Sequence, residues 1–371
     1  MRKASFERSR VSVPLAAGTV ALLAAACGGD GTGPGDGPDL TPLAAELSTG
    51  VASTIRNNSV LTSMLGLRGA MLSSLGSPPG GSVGQPLRLG SYHPIAGRGT
   101  GDPVETASGE AGLAGGLFFV SRRVDLAIPF GFLGRTLIWN VDTDAYDLDP
   151  DDEFLAPANG VRFRLYTLAS QNSPLVPLLD VGFIDLIDVS SGGGIDVSGT
   201  IRDDNVARAA FQTNGVLGVE FDFGATGFFS DGASNIDFSA RTRAGTGGFT
   251  LVTTVDATVG SVTYGSSTEV TGNGAGTKEV AVSAGGLALQ FLLNFDPNGN
   301  IGSNSTVTVN GMAGASVSGS FSNPSVKRIS GSNLSNASLD ALEAIFQEGF
   351  ELETASANLL LFGFLVNQGL D

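Results

Sequence analysis

The chain has 371 residues, 15% of them charged, with 54 glycines, 22 phenylalanines and a net charge of −16. An acidic balance with only three lysines (Lys3, Lys278, Lys327) offers no basic patch to neutralise phosphates, so nucleic acid is excluded as a partner, and no polybasic membrane surface exists. One cysteine and one histidine likewise exclude a disulfide scaffold and a zinc site of the usual ligands.

Arg2, Lys3, Arg8 and Arg10 precede an apolar run from Val11 to Ala26 that ends Leu23-Ala24-Ala25-Ala26-Cys27. Charge, apolar segment and small residues in that order form a secretory signal, and the run is shorter than the roughly 20 residues needed to span a bilayer. The segment resembles a bacterial lipoprotein signal, whose lipobox is Leu-Ala-Gly/Ala-Cys, with the leucine here one position further upstream. The resemblance implies removal of residues 1–26 and lipidation of Cys27. It further implies secretion across the inner membrane and attachment to the membrane through that lipid. Gly28 after the cysteine resembles lipoproteins sorted to the outer membrane. The chain so processed keeps 16 basic and 35 acidic residues, a charge of −19.

Residues 27–39 read as the lipidated cysteine and a flexible Gly-rich tether with a root-mean-square span of about 20 Å. In 40–76, Thr41 reads as an N-cap with Pro42 at the first helical position. Leu43, Leu47, Val51 and Ile55 recur at i+4, and Val60, Leu61, Met64, Leu65, Met71, Leu72 and Leu75 carry the apolar side onward. Asn57-Asn58 breaks this segment into two helices. The opposite side is mostly Ser and Thr, which predicts helices docked on the protein and not lying on a membrane surface. Residues 77–112 read as a Gly/Pro-rich loop without regular structure.

From 113 to 332 the period changes to two. Val161, Phe163 and Leu165 alternate with Arg162, Arg164 and Tyr166; Val219, Phe221 and Phe223 with Glu220 and Asp222; Ile236, Phe238 and Ala240 with Asp237, Ser239 and Arg241. Leu287, Leu289, Phe291, Leu293 and Phe295 repeat the pattern. Such alternation marks strands with one face buried and one wet. Turns are expected at Thr213-Asn214-Gly215, Asp231-Gly232, Thr271 to Gly274 and Asp296 to Gly299. About 12 to 15 strands then form an antiparallel meander. The tail, 333–371, returns to helical spacing at Leu339, Leu342, Ile345, Phe346 and Phe350, with Ser338 as its cap.

The fold class expected is mainly β (α+β): a large curved or closed antiparallel β-meander with N-terminal and C-terminal helices packed against it. Twelve strands make a sheet nearly 60 Å wide, whereas three or four helices laid along it cover about 40 Å. The sheet must therefore curl, and any part left unfilled is an apolar cavity. In segment order the chain is similar to periplasmic lipoprotein carriers, which bind acyl chains between a curved sheet and helices. An outer-membrane barrel is the competitor, disfavoured by the helical tail and by the small residues of 302–322.

No catalytic motif emerges. The one G-x-S-x-G, Gly80 to Gly84, lies between prolines with His93 only eleven residues beyond its Ser82, unlike a nucleophile elbow. The polar constellation that stands out is Asp142, Asp144, Asp147, Asp149, Asp151 and Glu153, a candidate calcium site by its every-other-residue spacing. It departs from the EF-hand pattern, since Asp152 replaces the turn glycine and Ala158 the bidentate glutamate. A solvated acidic loop is the plainer reading. Arg122-Arg123 and Arg162/Arg164 are expected to pair with acids across strands. The sequence thus predicts a lipid-anchored, non-enzymatic envelope protein without cofactor, binding an apolar ligand such as acyl chains. The alternative is a structural or surface-interaction lipoprotein with a fully packed core, meeting an envelope protein or glycan.

Overall fold

Alternation in the sequence becomes strands with a dry face and a wet one. Strand β10 (Asn235–Ala244) buries Ile236, Phe238, Ala240 and Thr242 while exposing Asn235, Asp237, Ser239 and Arg241. The computed structural model describes residues 37–75, 128, 130–151, 156–170, 173–190, 196–203, 206–216, 222–244, 251–271, 274–321 and 323–367. From Gly37 onward these form one compact unit.

The strands before β10 are β1 (Arg135–Asn140), β2 (Ala145–Leu148), β3 (Gly160–Tyr166), β4 (Leu168–Ser170), β5 (Ser173–Pro174), β6 (Asp180–Asp188), β7 (Val197–Asp203), β8 (Val206–Val216) and β9 (Asp222–Ser230). After it come β11 (Leu251–Val259), β12 (Val262–Val270), β13 (Gly276–Ala284), β14 (Leu287–Phe295), β15 (Asn300–Val309), β16 (Met312–Ser320) and β17 (Asn323–Arg328). Fifteen of them make one sheet, in sequential order from β17 down to β6 and then β3, β1, β2. It is open, with β17 and β2 as its edges. Neighbours pair antiparallel except β1 and β3, which run parallel because the chain leaves the β1–β2 hairpin and returns on the free side of β1. Strands β4 and β5 form a separate two-stranded ribbon between β3 and β6.

Tight turns join the meander. Gly285-Gly286 and Asn310-Gly311 both take positive φ at each position, as two-residue hairpins of the right twist require. Asp296 turns the chain as expected, accepting from the amides of Asn298 and Asn300. The turn expected at Thr213-Asn214-Gly215 is not one: these residues lie inside β8. Thr213 is fully buried, its hydroxyl bridging the amide and carbonyl of Val197, and Gly215 leaves room for Phe223, whose ring a Cβ would meet at 2.0 Å. Of the alternation read at 219–223, Val219, Glu220 and Phe221 lie outside the described residues.

Among the described residues three helices cover the dry face: α1 (Thr41–Val51), α2 (Ser59–Leu75) and α3 (Asn336–Asn367). A π-helical turn, Ala52–Arg56, continues α1, and Asn58 then caps α2 by accepting from the Leu61 amide, so the break falls where the two asparagines placed it. Capping differs by a few residues at the other two starts. Asp39 accepts from the Thr41 amide, which makes Thr41 the first helical residue; Ser335 accepts from the Ser338 amide, inside the first turn of α3.

The helices lie across the strands, not along them. Glu46 holds Ser261 at the β11–β12 turn, Asn58 reaches the Ser230 carbonyl on β9, and Ser63 bonds the Tyr166 carbonyl on β3. Helix α3 meets β17 through Asn336 and Arg328, β14 through Phe346 and Phe291, and β8 through Phe362 and Phe211. From Asn336 to Phe362 is about 39 Å of helix. From β17 to β8 is nine strand spacings, about 43 Å. The axis of α3 thus runs nearly at right angles to the strands. A helix in this orientation covers strands by its length instead of its width, so α3 alone reaches from β17 to β8. Leu47, Val51, Leu61, Met64, Leu342, Ile345, Leu352 and Leu359 are buried there.

Alternating strand directions give the sheet two rims. The entry rim carries the turns at 141–144, 231–234, 260–261, 285–286 and 310–311, and the chain enters it at Gly37, whose amide donates to the Asn333 carbonyl. The far rim carries those at 189–196 and 296–299. The wet face presents Asp237, Arg241, Thr263, Glu279 and Gln290, and not the apolar band of a lipid-facing barrel. Among the described residues no helix is long and apolar enough to cross a membrane.

Candidate functional site

The acidic constellation is divided by the β1–β2 hairpin. Asp142 and Asp144 lie in its turn, Asp144 with φ 54°, whereas Asp149 and Asp151 follow β2 at the far rim. Five residues of extended chain separate Asp144 from Asp149 by about 17 Å. Oxygens that share a calcium ion each sit about 2.4 Å from it, so these two groups cannot converge. Asp147 lies between them with one oxygen bound by Asn140 Nδ2 at 2.6 Å. Asp149 accepts from the Asp151 amide at 3.0 Å. Glu153 lies outside the described residues. Among the described residues no three His, Cys, Asp or Glu side chains assemble as metal donors.

A second constellation sits inside the protein. Lys278 on β13 is 1% exposed and pairs with Glu353 of α3. Glu353 also accepts from the Tyr264 hydroxyl of β12. The Lys278 ammonium lies 5.3 Å from the centre of the Phe321 ring and 5.7 Å from that of Phe350, and the two rings stack on each other. Gly349 makes the approach of Tyr264 possible, since a Cβ there would lie 2.4 Å from the ring. An amine, a carboxylate and a phenol in contact are chemically capable groups. Here Lys278, Tyr264 and Glu353 are all buried, so the trio is sequestered from water. What it can do is fix α3 at one place on the sheet, because a shift by one turn would strand a buried charge.

The sequence held a signal for this trio. Lys278 shares the inward parity of Val280 and Val282, and Glu353 follows Phe346 by seven residues on the same helical stripe. A charge at each of two core-facing positions calls for a partner.

A polar seam joins α3 to the N-terminal helices. Arg56 contacts Glu348 at 2.6 Å and Glu351 at 2.7 Å, Ser48 donates to Glu348, and Arg68 bonds Asn358. Burial acts against the Arg56 charge, but the hydrogen bond and charge of Glu351, with those of Glu348, raise its pKa on balance. For Glu351 burial prevails over Arg56 and pushes the carboxyl above its ordinary value.

The arginines behave as cross-strand pairing predicts. Arg162 grips Asp185 with two hydrogen bonds of 2.7 and 2.9 Å and lies 3.9 Å over Phe183, and Arg164 pairs with Asp180. Cys27, Gly80 to Gly84, His93 and Arg122-Arg123 lie outside the described residues. Compared with protein-family models, curated proteins and solved structures, the chain matches none.

Proposed function

We propose that the chain is a lipid-anchored, non-catalytic protein of the cell envelope, structural or surface-interacting, whose interior is filled by its own helices. Its working surface is then the wet face of the sheet, which suits an envelope protein or a polysaccharide. The observation that supports this reading over an acyl-chain carrier is the burial of the sheet's inward side chains beneath the helices. Running across the strands, α1–α2 and α3 take up the apolar face where a ligand would be held. A carrier for acyl chains needs a lined void of at least about 300 Å³. Attachment through Cys27 and export to the outer membrane enter the proposal from the signal-like N-terminus.

Titration with a fluorescent acyl probe such as cis-parinaric acid tests the reading. A packed interior gives no saturable, stoichiometric enhancement. Saturation at one probe per chain, displaced by unlabelled fatty acid, overturns it in favour of a carrier.

A further inference from the structure

We infer that the entry rim of the sheet is a membrane-resting surface, its apolar turn tips touching the bilayer to which the chain is tethered. The inference deepens the lipid-anchored reading above and rests on it. Its basis is where the exposed apolar side chains lie. Val141 (50% exposed), Val176 (67%), Leu179 (51%), Val206 (45%) and Met312 (65%) all sit on turns and strand ends of that rim, joined by Leu175. Among the described residues the far rim has only Phe130 and Val189 as exposed large apolar side chains. Isolated exposed apolar residues need no explanation, but among the described residues six of the nine exposed large apolar side chains share this rim, Leu292 on the wet face being the ninth beside Phe130 and Val189.

The chain's entry point selects the occupant. Gly37 and Pro38 are held on the same rim by Asn333 and Ser338. Nine residues lie between Cys27 and Gly37, and the ten steps reach at most about 35 Å. Strands of nine residues are about 30 Å long. Turning the far rim to the bilayer would use nearly all of that reach in passing along the body, whereas the entry rim is where the tether joins the body and makes no such demand. Asp142 and Asp144 on the hairpin tip disfavour an anionic surface, so the partner is an uncharged or zwitterionic lipid surface.

The test couples residues 27–371, through the thiol of Cys27, to a maleimide lipid in phosphatidylcholine vesicles. Hydroxyl-radical footprinting is compared with the same protein capped by a soluble maleimide. Oxidation of Met312 and Leu179 is expected to slow severalfold relative to Phe130 on the far rim. The combined variant Val176→Ser, Leu179→Ser, Met312→Ser is expected to restore oxidation at Leu175 while melting as the parent does. An unchanged ratio, or protection of Phe130 instead, overturns the inference. Because attachment is chemical, the result does not depend on lipidation in the cell. That is read separately from the mass of the N-terminal peptide of the native protein, and its failure would remove the anchor without touching the vesicle result.

Discussion

Replacing Lys278 by methionine tests whether the buried trio fixes α3. The side chain is 1% exposed and its partner Glu353 7%, so solvent screening is slight on either side. Lys278→Met keeps the stem's volume and leaves the Glu353 carboxylate buried with Tyr264 alone. Removing one member of a buried pair costs about 3–5 kcal/mol. A unit of about 330 residues unfolds with an entropy near 0.7 kcal/mol/K, so the melting temperature should fall by about 4–7 °C. Calorimetry reads this directly, and fluorescence of the single tryptophan, Trp139, buried on β1, gives a second probe. Adding Glu353→Gln should recover most of the loss, since no unpaired charge then remains. A single variant that melts within about 1 °C of the parent, with no coupling in the double variant, would refute the reasoning.

Gly349→Ala favours a helix by up to about 1 kcal/mol in isolation, yet it should lower the melting temperature because its Cβ meets Tyr264 at 2.4 Å; an unchanged or raised value would mean the ring moves freely. Asp296 is held below its ordinary pKa by the side chain and amide of Asn300 and by Asn298. A depressed folded pKa stabilises fully above the unfolded value near 3.9 and ceases to as pH falls through the folded one, so the deficit of Asp296→Ala at pH 7 should shrink in acid. A deficit constant from pH 7 to about 2 would contradict that. Calcium at about 1 mM should leave Trp139 fluorescence and the melting temperature unchanged, given the split of Asp142 and Asp144 from Asp149 and Asp151; a saturable shift would show convergence of those acids.

Much of the strand pattern was legible, although Tyr166, read as facing outward with Arg162 and Arg164, is buried. Period two at 236–240 and 287–295 became β10 and β14 with the inward set as read, because one wet face imposes strict alternation. Local chemistry misled at Thr213 to Gly215: glycine beside a large aromatic on the next strand looks in sequence like glycine in a turn. The cap position moved from Thr41 to Leu40, with Asp39 before it taking the Thr41 amide, and from Ser338 to Ser335, because neighbouring side chains compete for the same amides. The parallel β1–β3 pair and the transverse lie of the helices depend on long-range packing and leave no periodicity. Lys278 and Glu353 were legible in principle, as charges at core-facing positions, and only the pairing of strand to helix needed coordinates. The acidic residues showed their spacing in the sequence but not the hairpin that separates them.

Native mass spectrometry of residues 28–371, prepared without Cys27 and compared with a denatured, solvent-extracted sample, tests the central claim of a self-filled interior most directly. The account predicts the bare protein mass, unchanged after incubation with membrane lipids. One lipid-sized adduct per chain, lost on extraction, would contradict it and make the protein a carrier.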